Sequence, residues 1–168
     1  MDELGNLERA GDLWRLRFVR HLPHPVEKVW RAVTEPEHLG AWFPSTIEGE
    51  RAPGAALRFV FDGGFVVDGE MLVYDPPRCL EFTWGEDTLR IELAPDGEGT
   101  RLTLLDSFPE QGKAARDAAG WHVCLELLAL ATAGQPGLGD HRARWAAVHP
   151  RYVEAFGPDA ATGPPSTA

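Results

Sequence analysis

Residues 25–44, PVEKVWRAVTEPEHLGAWFP, decide how this chain is read. Val26, Val29, Trp30 and Val33 stand at i, i+3, i+4 and i+7, one face of a helix. Pro25 suits the first helical position, where its missing N–H would go unpaired anyway. Thr34-Glu35-Pro36-Glu37 has the pattern of a capping box and predicts a second, shorter helix. That helix runs into an aromatic corner, Trp42-Phe43-Pro44. Two short helices and an aromatic corner, set between one strand and a run of further strands, predict a sheet curled around something.

Upstream of this stretch, Leu13 to Leu22 alternates. Trp14, Leu16, Phe18 and Leu22 take one side, and Arg15, Arg17 and His21 the other, as in a half-buried strand. Residues 1–11 read as a flexible leader. Downstream, Ser45 to Glu50 reads as a short strand, and from Gly54 a period of two dominates. Leu57, Phe59 and Phe61 alternate with Ala56, Arg58 and Val60, and Gly63-Gly64 signals a hairpin. Phe65–Tyr74, Cys79–Trp84, Leu89–Leu93 and Arg101–Leu104 follow, separated by short turns, which predicts an antiparallel meander.

After Pro109 the period changes. Lys113 to Ala133 is rich in Ala and Leu, free of proline, and stopped by Gly134 with Pro136 just beyond, so it reads as a long helix. Its apolar arc is wide enough to need cover on more than one side. Trp145, Val148, Tyr152 and Phe156 repeat at helical spacing and supply that cover. The expected organisation is one domain over 12–156 with a disordered tail over 157–168. No internal repeat is visible.

Bulk properties narrow the function classes. The chain has 168 residues, 43% of them hydrophobic, which is a globular composition large enough for one good core. Its net charge of −10 argues against nucleic acid, which needs a basic stripe, and against docking on anionic lipid. No apolar run approaches a membrane span, and Met1-Asp2-Glu3-Leu4 does not open a signal peptide. The two cysteines, Cys79 and Cys124, each flanked by apolar residues, read as buried thiols in a reducing compartment. A cytoplasmic protein is expected.

The order strand, two short helices, meander, long helix resembles a known family. The residues that carry the likeness are Val29-Trp30-Arg31-Ala32-Val33-Thr34-Glu35-Pro36, Leu39 and Trp42-Phe43. Gly69-Glu70-Met71-Leu72, Tyr74-Asp75-Pro76-Pro77-Arg78 and Leu80 to Trp84 follow, then Gly99 to Leu104 and Gly120-Trp121. Together these blocks resemble the bacterial relatives of the activator of the ninety-kilodalton heat-shock protein's ATPase. That family lies within the helix-grip (SRPBCC, START-like) superfamily of pollen-allergen-like, lipid-transfer and polyketide-cyclase domains. The resemblance implies an α+β helix-grip fold, a curved antiparallel sheet wrapped around the long C-terminal helix. It also implies a chaperone as a candidate partner.

The superfamily often leaves the concave sheet face unfilled, so the resemblance implies an apolar pocket between sheet and helix. Its expected wall is Trp42, Phe43, Phe59, Phe61, Leu72, Tyr74, Phe82, Trp84, Ile91, Leu104, Trp121 and Leu125. Taken one at a time, such residues more often just fill a core. Taken as a set they predict binding of a small apolar or amphipathic molecule.

Polar groups on the same inner face are fewer. Asp106 continues the face of Leu102 and Leu104, Glu70 shares a face with Leu72 and Tyr74, and His122 follows Trp121. In a cyclase-like enzyme a His and a carboxylate would exchange protons with a carbonyl substrate, which makes His122 and Asp106 the catalytic candidates. The plainer expectation places Asp106 at a strand end meeting water and His122 exposed near the helix start. The histidines show no HxH or HExxH spacing, the cysteines form no CxxC, and no phosphate loop or nucleophile elbow occurs. No metal site or cofactor is expected.

Overall fold

Alternation along the chain becomes eight antiparallel strands in the computed structural model, which describes residues 3–163. The strands are β1 (Asn6–Ala10), β2 (Leu13–Leu22), β3 (Thr46–Glu48), β4 (Ala56–Val60), β5 (Val66–Asp75), β6 (Cys79–Trp84), β7 (Asp87–Asp96) and β8 (Gly99–Phe108). They form one sheet in the order β1-β2-β8-β7-β6-β5-β4-β3. The helices are α1 (Val26–Thr34), α2 (Pro36–Leu39), α3 (Ala114–Thr132) and α4 (His141–Phe156). Helices α1 and α3 cover one face of the sheet, and α4 packs on α3. This is the helix-grip arrangement.

Local chemistry explains the elements. Val29, Trp30 and Val33 bury the inner stripe of α1. The hydroxyl of Thr34 turns back to the Trp30 carbonyl at 2.7 Å instead of capping α2, a common use of a helical threonine. The expected capping box therefore does not form, and α2 starts from Glu35 with Pro36 in its first turn. Helix α3 closes with Gly134 at φ 68° and the Gln135 N–H on the Leu130 carbonyl at 2.9 Å, the glycine-terminated ending that satisfies the last carbonyls. Asp140 caps α4 by accepting from the Ala143 N–H at 3.0 Å.

Three expectations are corrected. The leader is not loose over its whole length: Asn6–Ala10 is the edge strand β1, paired with β2 from Asn6↔Arg17 to Ala10↔Leu13. Glu8 holds it there, accepting from Arg15 and Arg17 at 2.8 Å each. The tail is ordered at its start. Pro158–Ala160 makes a tight turn, Ala160 is buried, and the Gly163 N–H donates to the Gly112 carbonyl at 2.8 Å. Residues 1–2 and 164–168 of those two expectations lie outside the described residues.

The third correction is in β5. Its register with β6 runs Met71↔Phe82, then Val73↔Glu81 and Tyr74↔Leu80, so one extra residue stands at Leu72. A bulge shifts the side-chain alternation by one. Met71 is buried and Tyr74 meets Trp30 at 5.6 Å, while Leu72 is exposed, as is Glu70. Close by, Gly69 lets two strands approach, because a Cβ there would sit 2.0 Å from the Thr83 carbonyl oxygen.

Candidate functional site

The expected pocket residues do converge, apart from Leu72, but at the level of the rings they converge on one another. Phe43, from the corner after α2, lies 5.8 Å from Trp121 of α3, 6.0 Å from Trp84 and 6.3 Å from Phe82 of β6. Trp84 and Trp121 meet edge to face at 5.4 Å, and Phe59 packs on Phe82 at 5.4 Å. These are ordinary aromatic packing distances. Sheet and helix therefore touch through Trp84 and Trp121, and the gap expected between them is closed at this level. Outward, Phe61 stacks on Trp84 at 5.9 Å, and Phe65, 67% exposed at the hairpin tip, lies 5.7 Å from Phe61. Ile91, Leu104 and Leu125 are buried core residues.

Asp106 and His122 are both buried, contrary to the expectation of water contact. They face different neighbours. Oδ2 of Asp106 accepts from the Trp121 indole N–H at 2.9 Å. Beside it stand Asp87 and Asp117, with one oxygen from each of the three carboxyls inside a 4.8 Å radius of mutual approach. Lys113 supplies the cation, pairing with Asp87 and, at 3.5 Å, with Asp117. Burial pushes the Asp106 carboxyl well above the usual carboxylate range, and the neighbouring Asp87 charge adds to the push. Both influences favour the protonated form of Asp106. Burial also raises Asp87, against the pull of Lys113.

Sequence reasoning missed Asp87, which reads as part of a turn. The signal was present: Asp87 extends the alternation of Leu89, Ile91 and Leu93 by one step, onto the inner face. The register Leu89↔Asp106 then makes Asp87 and Asp106 diagonal neighbours on that face.

His122 looks toward α4. Its Nδ1 lies 2.8 Å from the Tyr152 hydroxyl, and its Nε2 lies 3.2 Å from Glu126 Oε1. Glu126 takes the guanidinium of Arg144 from α4 at 2.8 Å, and the Tyr152 hydroxyl accepts the Gly5 N–H at 2.9 Å. This chain, buried at His122 and Tyr152 and half-buried at Glu126 and Arg144, fastens α4 and the N-terminal segment to α3. His122 and Asp106 thus bond to different neighbours, Asp106 to Trp121 and His122 to Tyr152 and Glu126.

A groove of about 310 Å³ opens between α1, α2 and the C-terminal half of α3. Its apolar lining is Ala32, Ala41, Trp42, Leu128 and Ala131, joined by Thr132. The Trp42 indole is fixed by donating to the Ala32 carbonyl at 2.9 Å, and the Thr132 hydroxyl is spent on the Leu128 carbonyl at 2.9 Å. Lys28, Arg31, Glu37 and His38 complete the lining. Of the pocket residues expected from the sequence, Trp42 is the one that reaches this groove. A second, more open depression of about 280 Å³ lies at the other edge, lined by Glu48, Gly49, Ala56, Leu57, Arg58 and Asp68. No described helix is long and apolar enough to cross a membrane.

The family model described as Activator of Hsp90 ATPase homolog 1-like protein matches residues 23–132. Among solved structures, CalU16 from Micromonospora echinospora superposes with a TM-score of 0.73 at 19% identity, over 90% of this chain and 95% of that one. A Bordetella parapertussis protein gives 0.68 at 27% identity, over 89% of this chain and 90% of its own. DynU16, a protein of the dynemicin biosynthetic locus, gives 0.65 at 30% identity, over 73% of this chain and 48% of its own length. No curated protein matches the chain. The matched segment runs from the approach to α1 to the end of α3, and leaves β1, β2 and α4 outside it. With the eight-stranded sheet gripping α3 around that match, the chain belongs to the family of Activator of Hsp90 ATPase homolog 1-like proteins.

Proposed function

We propose that this protein binds a small amphipathic molecule against α3, and that the groove beneath α1 and α2 receives it. The observation that carries this reading is the groove's make-up: about 310 Å³, an apolar floor of Trp42 and Leu128, and a charged rim. Ligand sites start at roughly 300 Å³ and combine an apolar lining with a few placed polar groups. The volume fits a compact molecule. DynU16, from a biosynthetic locus, adds weight to a small-molecule role. The two free thiols fit a reducing, cytoplasmic setting.

The test is uptake of two fluorescent amphiphiles, anilinonaphthalene sulfonate and N-phenylnaphthylamine, by the purified protein. Saturable uptake is expected, and Ala131→Trp, which fills the groove, abolishes it without lowering the melting temperature. Failure of both probes to bind, or undiminished uptake by Ala131→Trp, overturns the proposal.

A second reading, engagement of a chaperone ATPase, rests on the family match over residues 23–132. Its check is whether the purified protein changes the ATPase rate of an Hsp90-type chaperone. An unchanged rate at saturating protein removes this reading and leaves the first untouched.

A further inference from the structure

We propose that the groove selects molecules carrying a negative charge, a compact apolar carboxylate, and that Lys28 and Arg31 are the residues that read that charge. This rests on the groove being the binding site and names what it takes.

The argument starts from the charge inventory. The chain carries 26 acidic against 16 basic side chains, so a cation here has carboxylates in surplus to pair with. Lys113, the other lysine of the chain, is neutralised by Asp87 and Asp117. Arg15 and Arg17 on the sheet follow the same habit with Glu8, and Arg90 with Glu81 and Glu92. Lys28 and Arg31 break it. Both line the groove, and among the described residues neither head group has an ion-pair or hydrogen-bond partner. They stand one turn apart on α1, the spacing at which two helical side chains reach the same point.

The remaining rim groups set where the charge of the occupant lies. His38 lies 3.5 Å from Glu35 and is turned to that carboxylate. Glu37 adds one negative charge to the lining. Glu35, Glu37 and His38 cluster at one side of the rim, their polar atoms within 4.8 Å of one another, which leaves Lys28 and Arg31 as the side that attracts an anionic head group. A guanidinium recognises a carboxylate in a bidentate fork, and the ammonium adds a second point of attraction. Trp42, Leu128 and Ala131 then cover the apolar body.

The experiment compares decanoate with decanol, a pair matched in length and differing in charge, by titration calorimetry. The proteins are the wild type, the double variant Lys28→Gln/Arg31→Gln, and Ala131→Trp. Both head groups are exposed, so the double variant keeps its core. Wild-type protein is expected to prefer decanoate by about tenfold or more, the scale of a hydrogen bond to a charged group. The double variant should bind both ligands at the level of decanol, and added salt should narrow the wild-type preference. Equal affinities in the wild type, or a preference that survives in the double variant, overturn the charge assignment. If equal binding is lost in Ala131→Trp, the groove stands and only the charge assignment falls. If the wild type binds neither ligand and takes up neither fluorescent probe, both fall together.

Discussion

The indole N–H of Trp121 donates to Oδ2 of Asp106 at 2.9 Å, and both residues are buried between α3 and the sheet. This bond ties the long helix to β8 at a carboxyl whose pKa burial raises. Trp121→Phe preserves much of the ring packing and removes the donor. A buried oxygen left without its partner costs about 1–3 kcal/mol. Urea unfolding should show a loss in that range, and an unchanged midpoint would mean that the bond contributes nothing net.

Asp106→Asn is expected to act in the opposite direction. The amide oxygen still accepts from Trp121, but the side chain no longer ionises. In the wild type the folded-state pKa of Asp106 lies above its unfolded value. The unfolded chain therefore releases the Asp106 proton at lower pH, and stability falls as pH rises from the ordinary carboxylate range toward the folded value. The variant lacks this decline. Melting curves between about pH 4 and 8 should diverge, with Asp106→Asn the more stable at the upper end; parallel curves would contradict the raised pKa of Asp106.

Leu72 and Phe82 should respond very differently to truncation. Leu72→Ser changes an exposed side chain at the β5 bulge and should stay within about 0.5 kcal/mol of the wild type. Phe82→Ala empties a core position in contact with Phe43 and Phe59 and should cost about 3–5 kcal/mol. Thermal unfolding of the two variants separates them, and a large loss in Leu72→Ser would contradict the shifted alternation.

Gly69→Ala tests the close approach of β5 to β6. The added Cβ would press on the Thr83 carbonyl and the Phe59 ring. Backbone cannot yield as a side chain tip can, so overpacking of about 1–3 kcal/mol is expected. Chemical denaturation measures it, and a neutral result would show that the strands part freely.

Periodicity made most of the fold legible. The wide apolar arc of α3 pointed to cover on two sides, and α4 supplies the second over the helical series Trp145, Val148, Tyr152 and Phe156. Alternation failed where a single residue interrupts it. Leu72 lies on the inward phase in sequence, but the bulge rotates it out, and nothing in Glu70-Met71-Leu72-Val73 marks the extra residue. The site was harder to read because polar residues do not declare their partners. Asp106 and His122 stood out as inner-face candidates, yet their burial depends on Asp87, Lys113, Glu126 and Tyr152, all distant in the chain except Glu126. The groove was legible only at Trp42, since Lys28 and Arg31 look like any solvated helix face until α3 lies beside them.

Tyr152→Phe should loosen α4. The change removes one oxygen that serves both the Gly5 N–H and His122. A loss of about 1–3 kcal/mol is expected, with faster amide exchange at Gly5 as the specific sign. Slow exchange retained at Gly5 would show that the strand β1 alone protects it.

That hydroxyl also closes a loop of chain from residue 5 to residue 152. Residues 5 and 152 meet through one hydrogen bond, so the segment before β1 and helix α4 share a single anchorage on α3. New ends could therefore be opened at the Gly63-Gly64 hairpin tip, which is exposed and bordered by sheet on both sides, without releasing that anchorage. Such a molecule should keep the groove intact, and an insertion that displaces either anchored segment would strain both at once.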